Sequence, residues 1–190
     1  LFDPSLIGLA CCSKLLSDSP SDVGFGITSA SYGKTFYQEN IFVGYRHFDK
    51  SKMETLFPFG HGLSYTAFSF SDLNASEVSF DGEFEITFKI KNTGKIAGKE
   101  VAQVYVRDVE SSLARPIKEL KAFKKVALEA GEEQSVTIKL DKDALKFWDD
   151  SREYWNAEAG EFEIQVGPSS VELPLKTVVK LEKSLTWLGL

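Results

Sequence analysis

From about residue 66 onward, apolar and polar positions alternate with a period of two. Phe68 and Phe70 alternate with Ser69 and Ser71, and Phe84, Ile86, Phe88 and Ile90 with Glu85, Thr87, Lys89 and Lys91. Ala102, Val104 and Val106 alternate with Gln103, Tyr105 and Arg107; Val136, Ile138 and Leu140 with Thr137 and Lys139; Phe162, Ile164 and Val166 with Glu163 and Gln165. Side chains of a strand point alternately to opposite faces, so each run predicts a strand with one buried and one wet face. Turn signals separate the runs: Asp81-Gly82, Asn92-Thr93-Gly94, Ala130-Gly131-Glu132 and Ala159-Gly160-Glu161. Several short strands with such punctuation, and no long helical pattern between them, predict an all-β antiparallel sandwich of about seven strands. Asp141–Phe147 alone has the pattern of a helical turn, with Asp141 as its N-cap.

Upstream the pattern changes. Residues 36–65 are dense in aromatics and glycine. Ile41, Val43 and Tyr45 alternate with Phe42, Gly44 and Arg46, and both sets are largely apolar. This predicts a strand buried on both faces or lying at a domain junction. Phe57, Phe59 and Leu63 surround Pro58, Gly60 and Gly62, which predicts a tight loop lined by aromatic rings. Such rings serve as core more often than as sugar contacts. Residues 17–35 are rich in Ser, Gly and Asp and read as a long surface connector. Residues 1–12 are mildly apolar without a basic flank, so a signal peptide is a poor fit. A piece of a longer polypeptide fits better. The expected division is an irregular connector at 1–35, an aromatic junction at 36–65, a sandwich at 66–182 and a tail at 183–190.

Composition narrows the function classes. Of 190 residues, 43% are hydrophobic and 26% charged, as in ordinary globular chains, and no apolar run is long enough to span a membrane as a helix. The net charge of −6 and the scattered Lys and Arg argue against a nucleic-acid partner, whose phosphates need a basic face. The aromatic set, 15 Phe, 6 Tyr and 3 Trp against a single Met, favours packed β structure. Cys11 and Cys12 are adjacent and the only cysteines, which excludes a disulfide framework and a Cys-rich zinc site. His47 and His61 are too few and too far apart for a metal motif. No cofactor or metal site is expected.

Asn40–Phe48 (NIFVGYRHF) followed by Leu56–Thr66 (LFPFGHGLSYT) resembles the junction segment of glycoside hydrolase family 3 β-glucosidases. Lys91–Val106, Arg115–Phe123, Lys125–Lys139 and Phe147–Gly167 continue the resemblance in order and spacing. Leu15–Asp22 is similar to the end of that family's α/β sandwich domain. The resemblance implies an immunoglobulin/fibronectin type III-like sandwich that follows catalytic domains in the same polypeptide. It also implies retaining hydrolysis of β-linked glucosides by two carboxylates, a nucleophile and an acid/base, carried by upstream domains. No Asp or Glu here matches those motifs, so no catalytic residue is transferred. A β-glucoside substrate is expected only for the intact enzyme, secreted or cytoplasmic.

The remaining candidates each have a plainer reading. Asp49 and Glu54 fit a carboxylate pair, but solvated charge beside Lys50 and Lys52 is favoured. Asp108, Glu110, Ser111, Ser112 and Arg115 fit a polar hinge that touches another domain, or a solvated hairpin. Asp149, Asp150 and Glu153 lack the glycine and bidentate Glu of a calcium loop, so a polar turn is preferred. His61, without a base or nucleophile nearby, reads as a structural hydrogen-bonding residue. Arg46 needs a partner if buried, and a carboxylate or carbonyl at the junction serves better than a sugar oxygen. Ser64 is not in a nucleophile elbow, because Thr66 stands where a glycine is required. Asn74-Ala75-Ser76 is a glycosylation sequon, meaningful only in a secretory route.

Two functional readings follow. In the first the chain is the C-terminal part of a β-glucosidase and braces its catalytic domains, with Phe42, Tyr45, Arg46, Phe57, Phe59, His61 and Tyr65 as inter-domain junction residues. In the second it is a free-standing fibronectin-like binding module. The aromatic junction favours the first, because a lone sandwich has no use for an exposed apolar patch of that size.

Overall fold

The computed structural model describes residues 40–188. Expectations for residues 1–35, including Cys11 and Cys12, lie outside them. The described residues fall into two compact units. Residues 40–61 with Ser169–Val171 form one, and Gly62–Pro168 with residues 172–188 form the other.

The larger unit is the antiparallel sandwich. Its strands are β1 (Phe68–Ala75), β2 (Phe84–Asn92), β3 (Gly98–Asp108), β4 (Glu119–Leu128), β5 (Glu133–Leu140), β6 (Phe147–Asp149), β7 (Tyr154–Ala157), β8 (Gly160–Gly167), β9 (Leu175–Leu181) and β10 (Leu185–Trp187). One sheet has the order β1-β2-β5 and the other β4-β3-β8-β9, and a small third sheet has the order β10-β7-β6. Seven strands in a three-plus-four arrangement make a fibronectin type III-like sandwich.

β2 shows why the fold forms. Phe84, Ile86, Phe88, Ile90 and Asn92 are all buried, and the residues between them face outward or sit part-covered. These apolar side chains pack with Ala102, Val104 and Val106 of β3, Phe162, Ile164 and Val166 of β8, and Val136 and Leu140 of β5. Asp81-Gly82 and Ala130-Gly131 make the connections where the sequence places them. Gly82 (φ 84°) and Gly131 (φ 78°) adopt the left-handed backbone that side chains disfavour.

Several expectations change. The run at 41–46 is not a strand: it is a turn leading into α1 (Tyr45–Ser51). Gly44 at φ 56° interrupts the extended backbone. Tyr45 and Phe48, three residues apart, then share a helical face, and Phe48 is buried. Because both alternating sets were apolar, period two could not be told from a helix there. β3 and β8 are not wet on one face at their centres, since Gln103, Tyr105 and Gln165 are buried as well. The Tyr105 hydroxyl donates to Gln103 Oε1 (2.6 Å), and Gln103 Nε2 donates to the Pro168 carbonyl (2.7 Å), so these polar atoms are satisfied. The turn at Asp141 is a short 3-10 helix, Lys142–Ala144, capped by the Asp141 carboxylate, which accepts from the Asp143 amide at 2.9 Å; Phe147 already belongs to β6. β10 lies inside the stretch read as a tail and pairs with β7.

Two polar groups anchor connections between strands. Asn92, fully buried, donates to the carbonyls of Ile96 (2.8 Å) and Leu128 (3.2 Å) and accepts from the Thr66 hydroxyl (2.6 Å) and the Gly94 amide (3.0 Å). Arg115, between β3 and β4, donates to Asp108 Oδ2 and Glu119 Oε2, both at 2.8 Å, and to the Leu145 (3.1 Å) and Lys146 (3.2 Å) carbonyls. Its guanidinium also lies 5.4 Å from the centroid of the Phe147 ring. The Arg115 and Asp108 side chains are only 8% and 4% exposed. Burial pushes the Asp108 carboxyl above the usual carboxylate range, and the Arg115 charge offsets part of that shift.

Removing Arg115 would therefore leave the buried Asp108 carboxylate without its cation and two carbonyls without its N–H groups, while Glu119 keeps Lys121 at 3.5 Å. Arg115→Ala should cost about 3–5 kcal/mol. Arg115→Lys should recover only part of that, because an ammonium lacks the planar fork that reaches all four acceptors. Urea midpoints of the three proteins, at unchanged m-value, measure both effects.

Candidate functional site

The smaller unit holds six of the seven junction residues. α1 starts after Gly44, with the amides of His47 (3.0 Å) and Phe48 (3.4 Å) donating to the Gly44 carbonyl. It stops at Lys52, whose left-handed backbone (φ 53°) lets the Met53 amide reach back to the Phe48 carbonyl at 3.1 Å. α1, the 53–59 segment, Ser170 and Val171 line a pocket of about 340 Å³, mostly apolar, with Tyr45, Phe48, Met53 and Phe59 among its walls. The Tyr45 and Phe59 rings are 5.5 Å apart and tilted. The Ser170 amide donates to the Phe59 carbonyl at 2.8 Å and fixes that loop.

Asp49 and Glu54 both line this pocket, with Lys52 beside them. Phe42 lies under the Lys50 ammonium, 3.6 Å from the ring centroid. Arg46 is half-buried on α1, in a helix rather than a strand. Phe57 stacks on the His61 ring with centroids 5.2 Å apart. The hydrogen bond at His61 comes from its backbone, whose N–H donates to the Pro58 carbonyl at 2.9 Å. Phe57 is 47% and Phe59 44% exposed; Tyr65, in the larger unit, is 99% exposed.

The other candidates take plain roles, with one exception. Ser64 Oγ accepts from the Thr66 amide at 3.2 Å, which makes a local turn. Asn74 is exposed on β1, an edge strand. Asp108 and Arg115 are the exception: they belong to the internal ion network and not to a solvated hairpin. A run of mixed charges does not reveal which of them folds inward. Glu110 stays exposed, and Ser112 donates from both its amide and its hydroxyl to the Glu158 carboxylate. Asp149 closes the β6–β7 turn, accepting from the Ser151 hydroxyl (2.6 Å) and amide (3.0 Å) and the Arg152 amide (3.3 Å). Among the described residues no group of His, Cys, Asp and Glu could hold a metal ion, and no helix is long and apolar enough to cross a membrane.

The Ser151 hydroxyl, aided by the two amides, holds the Asp149 carboxyl below the usual carboxylate range. A lowered folded value means that the stabilisation is complete above the unfolded value, about 3.9, and is lost as pH falls through the folded one. Thermal melts from neutral pH down to pH ~2 should therefore fall less steeply at the acid end in Asp149→Asn than in the wild type. Parallel acid limbs would remove Asp149 from the account.

Residues 100–170 match the family model of the fibronectin type III-like domain. The thermostable beta-glucosidase B of Acetivibrio thermocellus is 45% identical over 172 residues, which cover 90% of this chain and 22% of that protein. A beta-glucosidase of Kluyveromyces marxianus is 43% identical over 92% of this chain and 20% of its own length. Among solved structures, the Bifidobacterium adolescentis GH3 beta-glucosidase superposes with a TM-score of 0.85 at 34% identity, over 90% of this chain and 25% of that one. The Kluyveromyces marxianus beta-glucosidase in complex with glucose does so with a TM-score of 0.78 at 45% identity, over 84% and 19%. The chain thus spans about a fifth to a quarter of the length of the relatives it matches. In sequence and in fold, it matches the C-terminal, fibronectin type III-like region of glycoside hydrolase family 3 β-glucosidases.

Proposed function

We propose that this chain serves as the C-terminal structural part of a β-glucosidase that hydrolyses terminal β-glucosyl residues, and that it braces the catalytic domains without supplying reacting groups. The observation that carries the reading is the alignment of nine tenths of this chain with about a fifth of each relative. In keeping with it, no Asp or Glu of the chain matches the family's nucleophile or acid/base motif. The free-standing binding module is not favoured.

In this reading residues 1–35 connect to an upstream domain, 36–65 form the junction and 66–182 the sandwich, with β10 in the stretch 183–190 adding to the small third sheet. Phe42, Tyr45, Arg46, Phe57, Phe59 and His61 of the smaller unit, and Tyr65 of the larger, are docking residues for the catalytic domains. The partial exposure of Phe57 and Phe59, and the full exposure of Tyr65, support that role. Large aromatic side chains left half in water gain most when a neighbouring surface covers them.

The purified chain should show no turnover of an aryl β-glucoside. Hydrolysis abolished by mutating one of its own carboxylates would refute this. Phe59→Ala should cost about 3–5 kcal/mol in an intact β-glucosidase carrying this chain, where the ring is buried. In the chain alone the loss should be about 1 kcal/mol or less. Denaturant melts of both proteins measure the difference. Equal losses would mean that Phe59 belongs to the chain's own packing, and the docking role would be abandoned.

A further inference from the structure

All three tryptophans of the chain fall in one row across the small third sheet. Trp187 of β10 is in register with Trp155 of β7, and Trp155 with Trp148 of β6. Residues directly opposite one another share a face. The Trp148 and Trp155 rings meet edge to face with centroids 5.3 Å apart. Two cations cover the other two rings: Lys142 Nζ is 4.5 Å from the Trp187 centroid, and Lys146 Nζ is 4.2 Å from that of Trp155. No such contact covers Trp148 among the described residues, and it is 42% exposed. Lys146 reaches over Trp155, the cross-strand neighbour of Trp148, with the Trp187 centroid 5.8 Å from its Nζ, and so lies on the face that the row shares. Its ammonium is held at 3.0 Å by Asp143, itself half exposed.

An indole with no cation over it thus stands one ring away from a charged donor and its charged acceptor. A glucopyranose in a β-linked chain has the complementary shape. Its hydroxyls are equatorial, so both ring faces present only axial C–H groups, while the hydroxyls radiate in the ring plane. The C–H face suits the electron-rich indole, and the rim of hydroxyls suits Lys146 and Asp143. We propose that Trp148, with Lys146 and Asp143, is a stacking subsite for one glucopyranosyl ring of a β-linked glucan, separate from any catalytic pocket. The choice of glucan as ligand rests on the β-glucosidase reading above; the shape of the subsite does not.

Because every tryptophan lies in this row, intrinsic fluorescence of the 190-residue chain reports the subsite directly. Titration with cellohexaose should give a saturable change in emission, with a dissociation constant on the order of 1 mM. Trp148→Ala should weaken binding at least about tenfold, Trp148→Tyr, which keeps a ring, only about threefold, and Lys146→Met about threefold. Circular dichroism shows whether each variant keeps the fold. Three results would each overturn the proposal: no saturable change with cellohexaose, undiminished affinity in a folded Trp148→Ala chain, or equal affinity for the α-linked maltohexaose. Concentration-dependent self-association that shields Trp148 from iodide quenching would assign the ring to a second copy and overturn it too. Hydrolysis by the intact enzyme is measured separately. Hydrolysis without hexaose binding sinks this subsite and leaves the β-glucosidase reading standing, and binding without hydrolysis does the reverse.

Discussion

The sandwich depends on one shared interior: the inward face of β2 pressed against β3 and β8. Four large apolar side chains from one strand leave water together. Each contributes on the order of 1.5–3 kcal/mol of gross burial, which can offset much of the entropy cost of ordering the chain. Asn92 and Arg115 are tolerated in buried surroundings because their hydrogen-bonding groups are answered. Asn92 uses both its donor protons and its carbonyl oxygen on loop and strand backbone, and it ends β2 by tying it to the end of β4. Arg115 does the same for the connection between β3 and β4, spreading one cation over two carboxylates and two carbonyls. The apolar face gives the sandwich its stability, and these two residues fix the paths of the loops that leave it.

Much of this was legible in the sequence where one signal dominates. β2, β5 and the inward residues of β3 and β8 follow a strict period of two, and the turns at Gly82 and Gly131 stand where positive φ is needed. β4 was harder to read because Lys121, Lys124 and Lys125 crowd its alternation. It is an edge strand, where lysines suppress pairing with other chains. The run at 41–46 reads as a strand but leads into α1, because six largely apolar residues carry too few positions to separate the two periods. The inward turn of Arg115 depends on carbonyls thirty residues downstream, which no local pattern encodes. The Trp row was equally hidden: its members, at 148, 155 and 187, become neighbours only through strand register.

The junction segment presents the opposite case. Its composition announced aromatic surface seeking cover, and the structure leaves Phe57, Phe59 and Tyr65 largely or partly in water. What composition could not convey was the order within it. Lys50 stands over Phe42, His61 stacks on Phe57, and α1 shapes a pocket walled by Tyr45, Phe48 and Phe59. Small pairings of this kind keep apolar rings fixed in water at modest gain.

β10 follows all seven sandwich strands in the chain, and its partner β7 lies between β5 and β8. Without β10, β7 has only β6 beside it, and one edge of its backbone is unpaired. Local opening of β10 would leave both main sheets intact while baring a strand edge of the kind that recruits stray strands from other chains. β10 thus acts as a latch, covering an edge of β7 that neither main sheet reaches.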